Sequence, residues 1–190
     1  MKGLKKTKKG FTLIELLIVI AIIAILSVVV ILTLNPAELL RESRDSNRVS
    51  DLSVTKSAIS FYLTSGPSPL GLGTSGVCYI GDAVGTSSCS SWFQTDTSVA
   101  TSVTRSPTTS GWIPINFTGI TAGGSPLSQL PVDPLFGSND GVHFYSYTAS
   151  STGLVFKLGA VLESTKYASY AVNDGGISSS TYEVGTNLQL

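Results

Sequence analysis

A long apolar stretch close to the start of the chain limits most strongly what the protein can fold into. Residues 11–34 form a run of 24 residues that only four polar side chains interrupt, namely Thr12, Glu15, Ser27 and Thr33. As a helix this run would be about 36 Å long, since each residue adds ~1.5 Å. That length is enough to cross the hydrocarbon core of a bilayer with some tilt. The sequence therefore predicts a membrane-spanning helix over residues 11–34.

The residues before this helix predict its orientation. Five lysines and no acidic residue precede Gly10, and segments this basic are normally retained on the cytoplasmic side of a membrane. We therefore expect a single-pass protein of the cytoplasmic (inner) membrane with its N-terminus inside and residues 35–190 outside. A cleavable secretory signal fits less well, because such signals have an apolar region of roughly 7–15 residues followed by a small-residue cleavage site.

One acidic side chain lies within the apolar run. Glu15 is the fifth residue of that run, and an ionised acid near the centre of a membrane helix costs about 2.5–3.5 kcal/mol. A carboxylate in this position needs a partner. Alternatively, Glu15 is close enough to the cytoplasmic end to reach lipid head groups, and Gly10 is then only a flexible joint between a basic tail and a helix.

The junction between the basic leader and the apolar run carries a specific motif. Gly10-Phe11-Thr12-Leu13-Ile14-Glu15 resembles the class III signal of type IV pilins and type II secretion pseudopilins, and the similarity covers residues 1–65. The resemblance implies that a prepilin peptidase cleaves between Gly10 and Phe11, that Phe11 is N-methylated, and that the processed helix assembles into a helical filament. It also implies that Glu15 pairs with the new N-terminal amine of a neighbouring subunit, which would relieve the desolvation of both charges.

The resemblance also predicts the function and the partners. We expect a structural subunit of a type IV pilus-like filament, located at the cell surface or in the periplasm after assembly. Its expected partners are the prepilin peptidase, identical or related pilin subunits, the inner membrane before assembly, and the pilus or secretion assembly machinery. The alternatives are a pseudopilin of a type II secretion system and a membrane-tethered extracytoplasmic binding domain that does not polymerise.

Composition and motifs argue against two other classes of function. After Gly10 the chain has seven basic and twelve acidic residues, and this negative balance gives no general attraction to nucleic acid. The sequence has no G-x-S-x-G and no phosphate-binding GxxxxGK[ST]. We therefore predict that the protein is not an enzyme, and a nucleic-acid partner is not indicated.

The chain divides into four predicted segments: a basic leader (1–10), the membrane helix (11–34), an amphipathic helix (35–64) and an outward-facing β-rich domain (65–190). Asn35-Pro36 predicts either the cap of a new helix or a bend in one long helix, and the family resemblance favours the bend. The amphipathic pattern rests on the helical spacing of Leu40, Val49, Leu52, Ile59 and Leu63.

The charged residues of the amphipathic helix allow two interpretations. They form either a solvated helix face or contacts between subunits in a filament. The residues in question are Glu38, Arg41, Glu42, Arg44, Asp45 and Arg48.

The C-terminal region carries the signals of a small antiparallel sheet. Residues 142–148 and 154–162 are rich in aromatic and β-branched residues and predict a hairpin, whose Leu154, Phe156 and Leu158 would cover the amphipathic helix. Further strands are predicted at residues 167–172 and, as an edge, at 182–190, and an edge or bulge segment at 112–117. The expected architecture is α+β and type IV pilin-like, with the long N-terminal helix packed on the sheet.

The chain has two cysteines, Cys78 and Cys89, and a single histidine, His143. Because the domain is expected to face an oxidising compartment, a disulfide that closes this short loop is favoured over two unpaired thiols. One histidine without a CxxC pair gives no zinc-like ligand set. We expect His143 to be a partly exposed residue of the sheet.

A proline-rich turn raises the question of a calcium site. Leu130-Pro131-Val132-Asp133-Pro134 resembles the L-P-x-D-P turn of major pseudopilins, in which the following loop binds calcium. The resemblance makes Asp133, Asn139 and Asp140 candidate calcium ligands, since calcium requires oxygen donors. Leu135 replaces the tryptophan that follows this turn in the family, and the alternative is an ordinary Asn-Asp-Gly turn. The ordinary turn is favoured, and no cofactor is expected.

Overall fold

The computed structural model describes residues 10–83, 89, 98–121, 123–138 and 140–190. The chain divides into two compact units, Met1–Leu40 and Arg41–Leu190. The described part contains three α-helices, five strands and a short 3-10 turn at Phe117–Gly119. The helices are α1 (Leu13–Leu34), α2 (Pro36–Ser65) and α3 (Ala168–Asn173), and the strands are β1 (Val77–Ile80), β2 (Ser98–Thr101), β3 (Tyr145–Ser150), β4 (Val155–Val161) and β5 (Thr181–Gly185).

The first two helices are separated by a single residue. Asn35 adopts a left-handed backbone conformation with φ of 41° and caps the C-terminus of α1, a conformation that asparagine tolerates better than most residues. Its carbonyl oxygen accepts hydrogen bonds from the backbone amides of Glu38 and Leu39 and so also serves the first turn of α2. Pro36 opens α2, where its missing N–H would have no partner in any case. Asn35 is therefore a cap between two helices.

One face of α2 covers the sheet within the Arg41–Leu190 unit. Leu52, Ile59 and Tyr62 are buried in one cluster with Tyr145, Phe156 and other sheet residues. The helix ends at Ser65, as the following Gly66-Pro67 predicts. A side chain at Gly66 would place its Cβ 2.5 Å from the carbonyl oxygen of Tyr62, so the chain can turn away here only with glycine.

The sheet has the order β2-β1-β3-β4-β5. Three of its four pairings are antiparallel, and the predicted hairpin is present as β3 and β4. The α+β prediction is confirmed, but the sheet is mixed, because β2 lies parallel to β1. Parallel neighbours need a crossover of about a dozen residues or more, and residues 81–97 supply that length.

The hairpin differs from its prediction at two points. β3 begins at Tyr145 and not at Val142, because the side chain of Asp140 accepts the backbone N–H groups of Val142 and His143 and holds them in a turn. Leu154 has a positive φ of 51°, lies in the connecting turn and is exposed. Phe156 and Leu158 are buried as predicted, and Ala160 continues their face toward the core.

The strand predicted at residues 167–172 is wrong, whereas the edge strand predicted at residues 182–190 is present in shorter form as β5. Residues 167–172 fall largely in helix α3, where Tyr167 and Tyr170 contact each other at 5.0 Å and Ala171 is buried, a spacing that suits a helix. The edge position beside β4 is taken by β5, which ends at Gly185.

Residues 112–117 form a buried loop and not a strand. Pro114 interrupts the segment, and no ladder of strand hydrogen bonds forms there. Trp112 is buried, and its Nε1–H donates to the carbonyl oxygen of Pro131 at 2.9 Å.

Candidate functional site

The N-terminal junction is open to solvent. Gly10 and Phe11 precede α1 and lie outside regular secondary structure, and Phe11 is 85% exposed. Apart from Gly10 itself and its chain neighbours, no atom of the described residues lies within 4 Å of the position where a Cβ on Gly10 would be. The peptide bond between these two residues is therefore accessible from several directions, as a protease substrate requires.

Glu15 contributes to the first turn of α1. Thr12 and Glu15 form a capping box, in which Thr12 Oγ1 accepts from the Glu15 amide at 3.3 Å and the Glu15 carboxylate accepts from the Thr12 amide at 3.4 Å. Gly10, Phe11, Thr12 and Glu15 line one surface depression. The structure thus brings together the three residues predicted for processing and assembly, and Thr12 completes the group.

The side chains of α1 described in the structure are exposed along its whole length. Ser27 Oγ donates to the carbonyl oxygen of Ile23, and Thr33 Oγ1 donates to those of Val29 and Val30, so both hydroxyls are satisfied inside the helix. Within the described residues, one helix is long and apolar enough to cross a membrane, over Leu13–Ile31 with a mean hydropathy of 3.3. An apolar surface of this size requires lipid or other helices to cover it.

The comparison with protein families identifies the motif at this junction. Residues 5–31 match the family model of the prokaryotic N-terminal methylation motif. This motif is the class III signal of the type IV pilin and pseudopilin family. A search of curated proteins and a search of solved structures find no match to the chain. The methylation motif and the single apolar helix together indicate a membrane-anchored precursor of the pilin or pseudopilin type.

Cys78 and Cys89 are joined by a disulfide. Both are fully buried and form a second, smaller apolar cluster with Ile80 and Phe144. The bond links β1 to a residue in the crossover that leads to β2.

A buried group of charged residues was missed by the sequence analysis. Arg48 of α2 is fully buried, and its guanidinium forms a bidentate pair with Asp133, with Nε to Oδ2 at 2.7 Å and Nη2 to Oδ1 at 2.9 Å. Arg48 Nη1 donates to Asp45 at 2.8 Å and also to Glu163. We call Asp45, Arg48, Asp133 and Glu163 the Arg48 cluster.

The remaining acceptor positions of the Arg48 cluster are also occupied. Asp45 accepts from the backbone amides of Glu163 and Ser164 and from Ser164 Oγ. Arg44, nearer the surface, forms a second bidentate pair with Glu163. Such complete pairing is what buried charges require.

The contacts within this cluster favour the charged forms of Arg48 and Glu163. Burial by itself would lower the pKa of Arg48, but its hydrogen bonds with Asp133, Glu163 and Asp45 outweigh burial and raise that pKa above the ordinary value. The hydrogen bonds from Arg44, followed by the one from Arg48, outweigh burial and lower the pKa of Glu163 to about 2. Glu163 is therefore ionised at any physiological pH.

Both earlier interpretations of the charged helix face are wrong for Asp45 and Arg48, which are buried against their own domain. The helical spacing of these two residues relative to Leu52 was the sequence signal that could have predicted their burial. The buried positions of α2 recur every three or four residues, at Asp45, Arg48, Leu52, Thr55, Ala58, Ile59 and Tyr62. If the buried face of α2 is continued from Leu52 toward the N-terminus, it therefore includes Arg48 and Asp45. Leu40, which was assigned to this face, is exposed.

Two of the three calcium candidates, Asp133 and Asp140, are engaged in other contacts. Both carboxylate oxygens of Asp133 accept from Arg48, and a carboxylate that is already neutralised in this way fits a divalent cation poorly. Asp140 accepts from the amides of Val142 and His143, and its Oδ2 lies 2.7 Å from His143 Nδ1. Asn139 lies outside the described residues. Within the described part, no group of three or more His, Cys, Asp or Glu side chains could hold a metal ion, and the expectation of no cofactor stays a prediction.

His143 lies in the turn before β3 and not in the sheet. Burial by itself would raise the pKa of Asp140. The backbone amides of His143 and Val142 and the imidazole ring of His143 donate hydrogen bonds that outweigh burial, and they hold that pKa well below the ordinary value. Asp140 and His143 thus stabilise a turn.

Proposed function

We propose that this chain is a structural subunit of a type IV pilus-like filament, synthesised as a membrane precursor, cleaved between Gly10 and Phe11, and polymerised through α1. One observation carries the proposal: the methylation motif at residues 5–31 includes the Gly10–Phe11 junction and most of an exposed apolar helix. The motif supplies the processing signal, and the helix supplies the surface that assembly would bury.

The apolar side chains of α1 must be covered both before and after processing. Complete burial of a single leucine or isoleucine side chain contributes about 1.5–3 kcal/mol, and α1 exposes many such side chains, with Leu13 82% exposed and Ile25 68% exposed. Lipid covers these side chains in the precursor. In a filament the neighbouring helices take over this role, and van der Waals packing between helices then supplies the preference.

The expected topology agrees with the chemistry of the domain. The lysine-rich leader would remain in the cytoplasm, and the Arg41–Leu190 unit would be exported. Its disulfide between Cys78 and Cys89 is of a kind that persists in oxidising compartments.

Glu15 has a specific role in this proposal. Cleavage would create a positively charged amine on Phe11, close to a carboxylate that the capping box already holds at the start of α1. Pairing of Glu15 with the Phe11 amine of a neighbouring subunit would relieve two desolvated charges and would set the axial register of the subunits.

The experiment that tests this proposal is the recovery of the chain in sheared surface filaments. Gly10→Val should block cleavage, so that the precursor retains its leader and is absent from the filament fraction, whereas the control Gly71→Ala should be processed and assembled. Glu15→Gln should be cleaved normally but lost from filaments. Detection of the unprocessed Gly10→Val chain in filaments at the unmodified level would contradict the proposal.

A pseudopilin of a type II secretion system is the second candidate, and the Leu130–Pro134 turn favours it. Neighbouring genes discriminate the two readings, since a retraction ATPase indicates a pilus and a secretion outer-membrane channel indicates a pseudopilus. If the chain is processed but never recovered from any filament, a tethered extracytoplasmic binding domain is favoured.

A further inference from the structure

The loop between β2 and β3 contains an N-x-[ST] sequence, Asn116-Phe117-Thr118. This pattern is the acceptor motif for N-linked glycosylation, in which a sugar is attached to the asparagine side-chain nitrogen. The chain has six asparagines, and only Asn116 is followed by a serine or threonine two positions later.

Alternating burial orients this motif toward solvent. Ile113, Ile115 and Phe117 are fully buried. Asn116, between Ile115 and Phe117, is only partly buried, and Thr118, which follows Phe117, is exposed. Phe117 packs edge-on against the ring of Tyr62 at 6.0 Å, so the middle residue of the motif anchors the loop while the two recognised residues stay on the surface.

The two recognised side chains are already in contact. Thr118 Oγ1 donates a hydrogen bond to Asn116 Oδ1 at 2.6 Å, and the Gly119 amide donates to the Asn116 carbonyl oxygen at 3.2 Å. The side-chain oxygen of Asn116 is thus occupied. Within the described part of the chain, its nitrogen Nδ2 makes no hydrogen bond.

The residue beside Nδ2 has no side chain. A Cβ on Gly119 would lie 3.3 Å from Asn116 Nδ2, close enough to crowd any group attached to that nitrogen. Glycine at this position keeps the space next to Nδ2 open.

We propose that Asn116 is the acceptor of an N-linked glycan. The donor class is a sugar activated by a diphosphate leaving group, on a lipid or a nucleotide carrier. A bond forms between Nδ2 and the anomeric carbon, and the bond from that carbon to the diphosphate oxygen breaks. The electron pair leaves with the diphosphate, and one Nδ2 proton passes to a base of the transferring enzyme. The inference rests on the proposed function only for the outward location of the domain.

The first test uses the purified full chain in detergent, a sequon-specific oligosaccharide-transfer enzyme and a lipid-diphosphate-linked donor. We expect glycan on Asn116, mapped by mass spectrometry after tryptic release of residues 106–157. Asn116→Gln and Thr118→Val should abolish the glycopeptide, whereas Thr118→Ser and the control Asn47→Gln should retain it. The isolated peptide 106–157 serves as the unfolded reference. Modification of the peptide but not of the folded chain, or of neither, overturns the proposal.

The second test separates this inference from the proposed function. The chain is isolated from its own cells and analysed for glycan at Asn116, and the same cells are treated with a membrane-impermeant amine reagent that labels Lys166 when the domain is outside. A labelled domain with unmodified Asn116 overturns the glycan site and leaves the filament proposal intact. An unlabelled domain contradicts the proposed topology, and the transfer experiment on the purified chain then decides the site independently.

Discussion

At the scale of single residues, the buried side chain of Arg48 connects separate segments of the domain. It joins α2 to the Leu130–Pro134 turn through Asp133 and to the segment after β4 through Glu163. Its side chain has no exposure to solvent. Removal of one member of such a group leaves the others buried and unpaired, and this is why the members are interdependent.

Arg48→Ala should therefore lower the free energy of unfolding by about 3–5 kcal/mol, because the carboxylates of Asp45 and Asp133 would remain buried without their cation. Urea unfolding of the full chain in detergent, followed by tryptophan fluorescence, measures the change. Lys166→Ala removes a cation from the exposed pair with Glu42 and should leave the unfolding midpoint unchanged. Equal losses for the two variants would contradict the assigned role of Arg48.

Glu163 gives this cluster a defined pH dependence. Its pKa is lowered from the ordinary 4.5 to about 2 in the folded chain, so the ionised form stabilises the fold at pH values above the unfolded pKa. That contribution should be lost as the pH falls from about 4.5 to about 2. Unfolding experiments across this range should give a smaller pH slope for Glu163→Gln than for the unmodified chain. Identical slopes would show that Glu163 does not carry the effect.

At the scale of elements, local sequence rules account well for the helices and for the central hairpin. The bounds of α1 follow from a Thr12 cap and from Asn35, and the end of α2 follows from Gly66-Pro67. Elements whose position depends on a distant neighbour were predicted less well. Residues 167–172 have strand-like composition, but β5 occupies the edge beside β4 and the segment folds as α3.

The disulfide belongs to this scale, because it ties β1 to the chain that leads to β2. Cys78→Ala combined with Cys89→Ala should lower the free energy of unfolding by about 3 kcal/mol, as expected for a short closed loop. Denaturation with and without reductant measures the effect. The unmodified chain should lose stability on reduction and the double variant should not respond; a response of the double variant to reductant would contradict this explanation.

At the scale of the whole molecule, the contacts of Asp133 bear on metal dependence. Because Arg48 engages both oxygens of this carboxylate, we expect a chelator to leave the Tm of the full chain unchanged. Thermal unfolding with EDTA, and after addition of calcium with magnesium as the control, measures this. A Tm that falls with EDTA and recovers with calcium alone would establish a calcium site and would favour the pseudopilin reading.

By itself, the sequence determined the methylation motif, the length and polarity of α1, the end of α2 and the β3–β4 hairpin. Each of these depends on residues within a few positions of one another, so hydropathy, caps and turn residues suffice. Only the tertiary structure decided that Arg48 is buried, that β2 runs parallel to β1 and that residues 112–117 are a buried loop. Two of the three acidic partners of Arg48, Asp133 and Glu163, lie 85 and 115 residues further along the chain. The energy of a buried charge depends on whether the fold brings such distant partners into contact with it.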